Sequence, residues 1–256
     1  MFAARISLYL LLGIVLSACV TETESVFTEK ASPEKVTAQR VELARQYIGQ
    51  GNWEDAKRNL KVAAALDDRN AEVFEAFALV YQSTGEFELA EISFKRAISL
   101  DQDFSRARNN YAAFLYSRER YDEAEEQLEF VVQDLLYNSR AQAFVNLGLS
   151  RLQLFKPREA EEVFLRALGM QRGNTIALLE IAQLRLEAGD SANAKLYYDE
   201  YRKVVRQQSA RALWLGVRLA RETGDTDAES SYAMALRSRY PVSNEYEAYK
   251  RTLGEL

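Results

Sequence analysis

Residues 71–104 read AEVFEAFALVYQSTGEFELAEISFKRAISLDQDF, and the same alternation of small and large residues returns along most of the chain. Within this stretch, the small residue Ala78 is followed twelve positions later by Ala90, and four positions after that by the large apolar Phe94. Residues equivalent to Ala78 stand at Ala44, Ala78, Ala112, Gly148, Ala182 and Gly216, with spacings of 34, 34, 36, 34 and 34 residues. The chain is therefore a tandem array of similar short units.

The second small residue keeps the same period, at Ala56, Ala90, Ala124, Ala160, Ala194 and Ala228. A 34-residue period with small residues at both places is typical of tetratricopeptide repeats, in which each unit is a pair of antiparallel helices. Small side chains let neighbouring helices approach to about 8–10 Å. We therefore predict an all-α superhelical solenoid of six helix-turn-helix repeats, at about 37–70, 71–104, 105–138, 141–174, 175–208 and 209–242. Three residues after the first small residue, Arg151 and Arg185 depart from the large apolar residues found in the other four repeats.

Both ends of the array carry boundary signals. Ser32, Pro33 and Glu34 provide an N-cap, a proline at the first helical position and an acid in the first turn, so the repeat domain is predicted to cover 32–256. After the last repeat, an apolar stripe at Tyr246, Tyr249 and Leu253 predicts a capping helix within 243–256.

The third repeat holds two extra residues, around 133–137. They are expected to lengthen its second helix or the loop that follows it. Two interpretations remain open: a tolerated loop insertion, or a bend between two halves of three repeats each.

The composition argues against catalysis. The chain of 256 residues has no histidine and a single cysteine, which excludes histidine acid–base chemistry, histidine metal ligation and a cysteine zinc site. Its formal net charge of −5 disfavours nucleic acid as a partner. We expect a monomeric protein that is not an enzyme, needs no cofactor or metal, and acts by binding other proteins.

The first eighteen residues have the pattern of an export signal. Arg5 precedes a short apolar run, which ends in the small residues Ser17 and Ala18 before Cys19. The run is shorter than the roughly 20 residues needed for a transmembrane helix. The stretch 16–19, Leu-Ser-Ala-Cys, resembles a bacterial lipobox, which implies cleavage before Cys19 and lipidation of its thiol. The alternative is a plain secretory signal with an incidental cysteine.

The residue after the lipobox bears on the destination. Val20 stands where aspartate would favour the inner membrane, so resemblance to Gram-negative lipoprotein sorting implies the periplasmic face of the outer membrane. Residues 19–31 are polar and are predicted to form the lipidated N-terminus and a flexible tether. Val26 and Phe27 could instead dock on the first repeat.

The concave side of such a solenoid is the expected binding surface. Positions 2, 5, 9 and 12 of each repeat are predicted to face inward, which makes the groove apolar at repeat one, mixed at two and three, and strongly apolar from four to six. The candidate partner-binding residues are Val41, Arg45, Ile48, Leu79, Asn109, Tyr116, Val145, Leu149 and Leu179. An apolar groove suits an amphipathic helix or a hydrophobic segment. The alternative is that neighbouring helices cover some of these side chains.

A lipobox, a short tether and six repeats in about 250 residues resemble the PilF/PilW family of type IV pilus biogenesis lipoproteins. The near-consensus second repeat and the segment Arg108 to Tyr111 also look like that family. The resemblance implies a pilotin, which binds the pilus secretin, promotes its outer-membrane localisation and multimerisation, and supports pilus assembly and twitching motility. It also implies contact through the N-terminal repeats, so a charge at Val41 or Ile48 is expected to spare the fold but to lower secretin multimer. Another periplasmic scaffold, for β-barrel assembly or peptidoglycan hydrolases, is the alternative.

Overall fold

The computed structural model of the protein describes residues 32–254, and that part of the chain is all helical, with no strand. The predicted signal peptide, the lipidation of Cys19 and the tether lie outside the described residues. The helices are α1 Pro33–Gly49, α2 Trp53–Leu66, α3 Ala71–Thr84, α4 Phe87–Leu100, α5 Ser105–Ser117, α6 Tyr121–Val131, α7 Arg140–Gln153, α8 Pro157–Met170, α9 Thr175–Glu187, α10 Ser191–Val204, α11 Ala210–Thr223, α12 Thr226–Arg239 and α13 Asn244–Leu253.

Each odd-numbered helix from α1 to α11 pairs with the helix that follows it, which gives six hairpins and confirms the repeat solenoid. We call the first helix of each hairpin helix A and the second helix B. The tight A–B turns lie along one edge of the array, the turn edge. The loops that lead from helix B to the next helix A lie along the opposite edge, the loop edge, where α1 also begins.

Local signals set the helix ends as the sequence predicts. The Ser32 hydroxyl accepts a hydrogen bond from the Lys35 amide, and Pro157 occupies the first turn of α8. Each of the six A–B turns has one left-handed residue, and four of these residues are glycines, among them Gly85 with φ 82° and Gly224 with φ 72°.

The recurring small residues mark where helices touch. A Cβ atom added to Gly148 of α7 would lie 2.5 Å from a ring carbon of Phe164, which belongs to helix B of the same repeat. Real Cβ atoms do not approach other atoms so closely, so Phe164 occupies the space that the glycine leaves. At this position the sequence period is therefore a packing requirement.

The extra residues of repeat three lie in the loop. Helix α6 has 11 residues where the other B helices have 14, so residues 132–139 form a longer connection and helix B is not lengthened. Val132, directly after α6, is buried, and its carbonyl accepts a 2.7 Å hydrogen bond from Arg140 Nε. The apolar core continues across this loop into Phe144 of repeat four. This continuity favours a tolerated loop insertion over a bend.

The last helix closes the array, which confirms the predicted cap. Tyr249 of α13 packs edge-on against Trp214 of α11, with 6.4 Å between ring centroids, and stacks on Tyr246. Arg221 of α11 donates a 2.8 Å hydrogen bond to the Thr252 hydroxyl. Within residues 32–254, no helix combines the length and apolar character that crossing a membrane requires.

Candidate functional site

Position 5 of every repeat is buried, although we expected it to face the groove. Its occupants are Val41, Glu75, Asn109, Val145, Leu179 and Leu213, whose exposed fractions are 3%, 0%, 9%, 0%, 8% and 1%. Hydrogen bonds place this position where helix A of one repeat meets helix A of the next, as between Asn146 and Asn109. The candidates Val41, Asn109, Val145 and Leu179 are therefore core residues. A charge at Val41 would disturb packing, contrary to the expectation that it would spare the fold.

The remaining five candidates lie at positions 9 and 12 and are half-buried, so a partner can reach them. They are Arg45, Ile48, Leu79, Tyr116 and Leu149. In repeat six, by contrast, positions 9 and 12 are the buried Val217 and Ala220, and Leu186 at position 12 of repeat five is buried as well. The expectation of a strongly apolar groove through repeats five and six is thus wrong for most of its positions, because these side chains pack inside the solenoid, while Ile176 at position 2 of repeat five is 40% exposed. The accessible groove covers repeats one to four.

A cavity of about 100 Å³ opens at the middle of this groove. It lies between α5 and α7 and is lined by Ala112, Ala113, Tyr116, Leu128, Asn146, Leu149 and Ser150. The lining is mostly apolar, and it brings together Tyr116 and Leu149, two of the predicted residues. The cavity has room for one aliphatic side chain. Ala113 holds position 9 of repeat three, which is predicted to face inward, but it is not among the candidate partner-binding residues.

Side-chain amides run beside the cavity. Gln142 Nε2 donates a 2.9 Å hydrogen bond to Asn146 Oδ1, and Asn146 Nδ2 donates a 3.2 Å hydrogen bond to Asn109 Oδ1. An amide offers two donors and a two-lone-pair acceptor, so Gln142 and Asn146 retain capacity to pair with a peptide backbone. The site therefore combines an apolar socket with polar groups at its rim.

A charged cluster ties the first three repeats together on the same face. Arg45 donates a 2.6 Å hydrogen bond to Glu75 Oε2, and Asn110 Nδ2 donates one of 2.6 Å to Oε1 of the same carboxylate. Arg106 adds an ion pair of 3.1 Å with Glu72. The Glu75 side chain is fully buried, so its carboxylate acts as an internal link between repeats and not as a ligand group.

The two arginines that depart from the repeat pattern also link repeats. Arg151 Nε donates a 2.9 Å hydrogen bond to Glu125 of the preceding helix B, and Lys156 donates one of 2.6 Å to the same carboxylate. Burial alone would raise the pKa of Glu125, but the hydrogen bonds from Lys156 and Arg151 outweigh it and lower the pKa. Arg185 pairs in the same way with Glu161. These arginines are structural.

A related pair joins repeats two and three. Arg120 donates hydrogen bonds of 2.7 and 3.0 Å to the Glu91 carboxylate, which also accepts one of 3.0 Å from the Tyr111 hydroxyl. The hydrogen bond from Arg120 lowers the pKa of Glu91 from its usual 4.5 to about 2. Burial, together with the bond to Glu91, raises the pKa of Tyr111. The Glu91 carboxylate is therefore ionised across the physiological pH range.

Known proteins match both the repeats and the whole chain. The tetratricopeptide repeat profile matches residues 41–103, 75–130 and 145–203. The type IV pilus assembly protein PilF of Pseudomonas aeruginosa is 36% identical over 248 residues, which cover 96% of this chain and 98% of that protein. An uncharacterised protein of Haemophilus influenzae is 31% identical over 135 residues, covering 53% of this chain and 73% of its own length.

Solved structures agree with this relationship. The structure of Pseudomonas aeruginosa PilF superposes with a TM-score of 0.82 at 35% identity and covers 86% of this chain and 99% of its own. The structure of PilW, a widely conserved type IV pilus biogenesis factor, superposes with a TM-score of 0.73 at 26% identity, covering 84% of this chain and 98% of its own. The similarity thus extends over nearly the full length of both relatives.

Proposed function

This chain belongs to the PilF/PilW family of tetratricopeptide-repeat proteins, and from that membership we propose that it is a type IV pilus pilotin. In this role it is an outer-membrane lipoprotein that binds the pilus secretin, brings it to the outer membrane and promotes its multimerisation. Pilus assembly and twitching motility then depend on it. The observation that carries the proposal is the end-to-end correspondence with a pilus assembly protein, over 96% of this chain.

The binding surface in this proposal is the groove of repeats one to four. An apolar side chain of the secretin enters the cavity beside Tyr116 and Leu149, and the amides of Gln142 and Asn146 pair with the backbone of the same segment. Ile48 and Leu79, which are accessible at the N-terminal end of the groove, extend the apolar contact. Binding alone accounts for the role, and no covalent chemistry is needed.

The lipid anchor on Cys19 localises the protein to the outer membrane. Cys19, the sole cysteine of the chain, carries the acyl chains, and two or more chains give durable attachment at about 0.8 kcal/mol per buried methylene. The groove can then hold the secretin close to the membrane into which it inserts.

Affinity isolation from detergent-solubilised outer membrane tests this proposal, with the full lipidated chain as bait and mass spectrometry of the captured proteins. Two matched variants sharpen it. Ala113→Arg fills the cavity from an exposed helical position, while Ala65→Arg makes the same change at an exposed position of helix B in repeat one. We expect the secretin to be the main captured protein with the wild type and with Ala65→Arg, and to be depleted with Ala113→Arg.

Other outcomes would count against the proposal. Capture of β-barrel assembly proteins or peptidoglycan hydrolases in place of the secretin would overturn the function. Equal capture of the secretin by both arginine variants would overturn the site and leave the partner standing.

A further inference from the structure

The loop edge changes character between the two halves of the molecule. In the last three repeats, the end of helix B or the loop after it carries an exposed aliphatic residue close to an exposed arginine: Met170 with Arg172, Val204 with Arg206, and Val242 with Arg239. The first two loops of the same edge carry four aspartates, Asp67, Asp68, Asp101 and Asp103, and the first of them also has the exposed Leu66 and Arg69. The C-terminal part of this edge is thus both apolar and basic.

The arginines of this edge are available to an outside partner. Among residues 32–254, the neighbouring Arg202 and Lys203 pair with Asp199 and Glu200, whereas Arg172, Arg206 and Arg239 form no ion pair. The repeat-to-repeat links described above use other arginines. Three solvated guanidinium groups on one edge are suited to phosphate groups, which guanidinium binds through two parallel hydrogen bonds.

The long loop of repeat three adds two leucines to the same edge. Leu135 and Leu136 are 74% and 89% exposed, more than most apolar side chains of the protein. The loop that presents them is well tied: Asp134 accepts a 2.9 Å hydrogen bond from the Leu136 amide and one of 2.5 Å from the Ser105 hydroxyl. The leucines are therefore held outward by a defined turn. Their exposure gives the insertion a use that the solenoid itself does not require.

The described part of the chain also begins on this edge. Helix α1 begins on the loop edge, directly after Ser32, so the residues that lead to Cys19 join the domain at that edge. Twelve residues lie between Cys19 and Ser32, so the two ends are at most about 45 Å apart. A lipid on Cys19 therefore keeps the loop edge within reach of the bilayer. The segment between Cys19 and Ser32 is also long enough for the acidic loops of repeats one and two to remain away from the membrane surface.

We propose that the loop edge of repeats three to six rests on an anionic phospholipid bilayer. The aliphatic side chains enter the interface, and the arginines bind lipid phosphates, as in proteins that combine an acyl anchor with a second, basic and apolar contact. The proposal rests on the lipid anchor of the proposed function. Because the helices run from one edge to the other, this contact stands them upright on the membrane and leaves the groove open sideways, along the membrane plane.

Site-specific labelling of the lipidated full chain tests the proposal. Cys19 is consumed by the lipid, so a cysteine introduced elsewhere is the only free thiol. Leu136→Cys and Val242→Cys place a polarity-sensitive dye on the loop edge, and Phe155→Cys places it on the turn edge, where the side chain is 91% exposed. Each labelled protein is reconstituted into vesicles of phosphatidylethanolamine and phosphatidylglycerol, and its dye emission is measured. The reference is the same labelled protein in dilute, detergent-free solution, after protease cleavage in the tether has removed the lipid.

We expect the dye emission to shift to the blue on vesicles at Leu136→Cys and Val242→Cys, and to stay unshifted at Phe155→Cys. The triple change Arg172→Gln, Arg206→Gln and Arg239→Gln should reduce the shift at both loop-edge sites, as should vesicles of phosphatidylcholine alone. Equal emission at the two edges would overturn the proposal. A shift that ignores the arginines would overturn their role. The vesicles contain no secretin, so these results are independent of whether the secretin is the partner.

Discussion

Repeats two and six place residues of opposite character at the same structural position. Glu75 and Leu213 both occupy position 5, and both are buried between successive A helices. The carboxylate is held by Arg45 and Asn110 from the flanking repeats, whereas the leucine belongs to the apolar core. The repeat phase therefore fixes burial, and the neighbouring repeats decide which chemistry the buried position tolerates.

The same comparison separates an open and a closed part of the concave face. In repeats one to four, positions 9 and 12 stay at least partly exposed, and Ala113, Tyr116 and Leu149 among them line the cavity. In repeat six the corresponding Val217 and Ala220 are buried, and α13 packs on the same helix through Tyr249. An apolar residue in the repeat pattern thus marks a binding surface only where no further helix covers it.

Exchanging the two residue types at position 5 should have the largest effect. Leu213→Glu places a carboxylate with no partner in a fully packed site, and we expect a loss of more than about 4 kcal/mol in the free energy of unfolding. Chemical denaturation measures it. Glu222→Gln, at an exposed position of the same helix, is the control. Arg211→Glu is unsuitable for this purpose because Arg211 forms an ion pair with Glu180. A change below 1 kcal/mol for Leu213→Glu would break the comparison.

A paired glycine test asks whether the repeat phase sets the contacts. Gly148→Ala puts a Cβ atom against the Phe164 ring, and overpacking of this kind should cost about 3 kcal/mol. Gly169→Ala makes the same change in α8, where nothing lies within 4 Å, and should stabilise the protein by about 0.5 kcal/mol. Thermal and urea unfolding of both variants provide the measurement. Equal effects would show that the phase has no steric meaning.

The link through Glu75 can be tested by removing it in two steps. Glu75→Leu leaves Arg45 and Asn110 without their acceptor, and since Arg45 is 21% exposed and partly solvated, we expect a loss of about 2 kcal/mol. The double variant Arg45→Met with Glu75→Leu should recover most of that loss, because apolar residues often replace a buried ion pair without penalty. Additive losses would contradict the account of Glu75 as a satisfied carboxylate.

The smallest expected effect concerns acid. The pKa of Glu91 in the folded protein, about 2, is below its usual 4.5, so its contribution is present above pH 4.5 and is lost as the pH falls toward 2. Solvent screening at this partly exposed pair limits the contribution to about 1 kcal/mol. Glu91→Gln should therefore show a flatter fall in unfolding free energy over this interval than the wild type. If the unfolding free energies of the wild type and Glu91→Gln fell in parallel with pH, the Glu91–Arg120 pair would make no pH-dependent contribution to stability.

The helices, their pairing and the cap could be predicted from the sequence because small residues and turn residues recur with a fixed period. The groove could be predicted only in part. The sequence period does not show how successive A helices pack against one another. From the sequence alone, Val145 is therefore compatible with the core and with the groove, and Glu75 has the character of an exposed acidic residue. The cavity beside Ala113 could not be predicted from the sequence, because it is formed by the space between α5 and α7.

The central claim is that the open groove of repeats one to four holds the secretin. The most direct measurement is the amount of secretin multimer in outer membranes of cells that carry the wild type, Ala113→Arg or Ala65→Arg, with the level of each variant checked by immunoblot. If the groove holds the secretin, the amount of multimer should fall sharply with Ala113→Arg and stay at the wild-type level with Ala65→Arg. Normal multimer with a stably produced Ala113→Arg would contradict it.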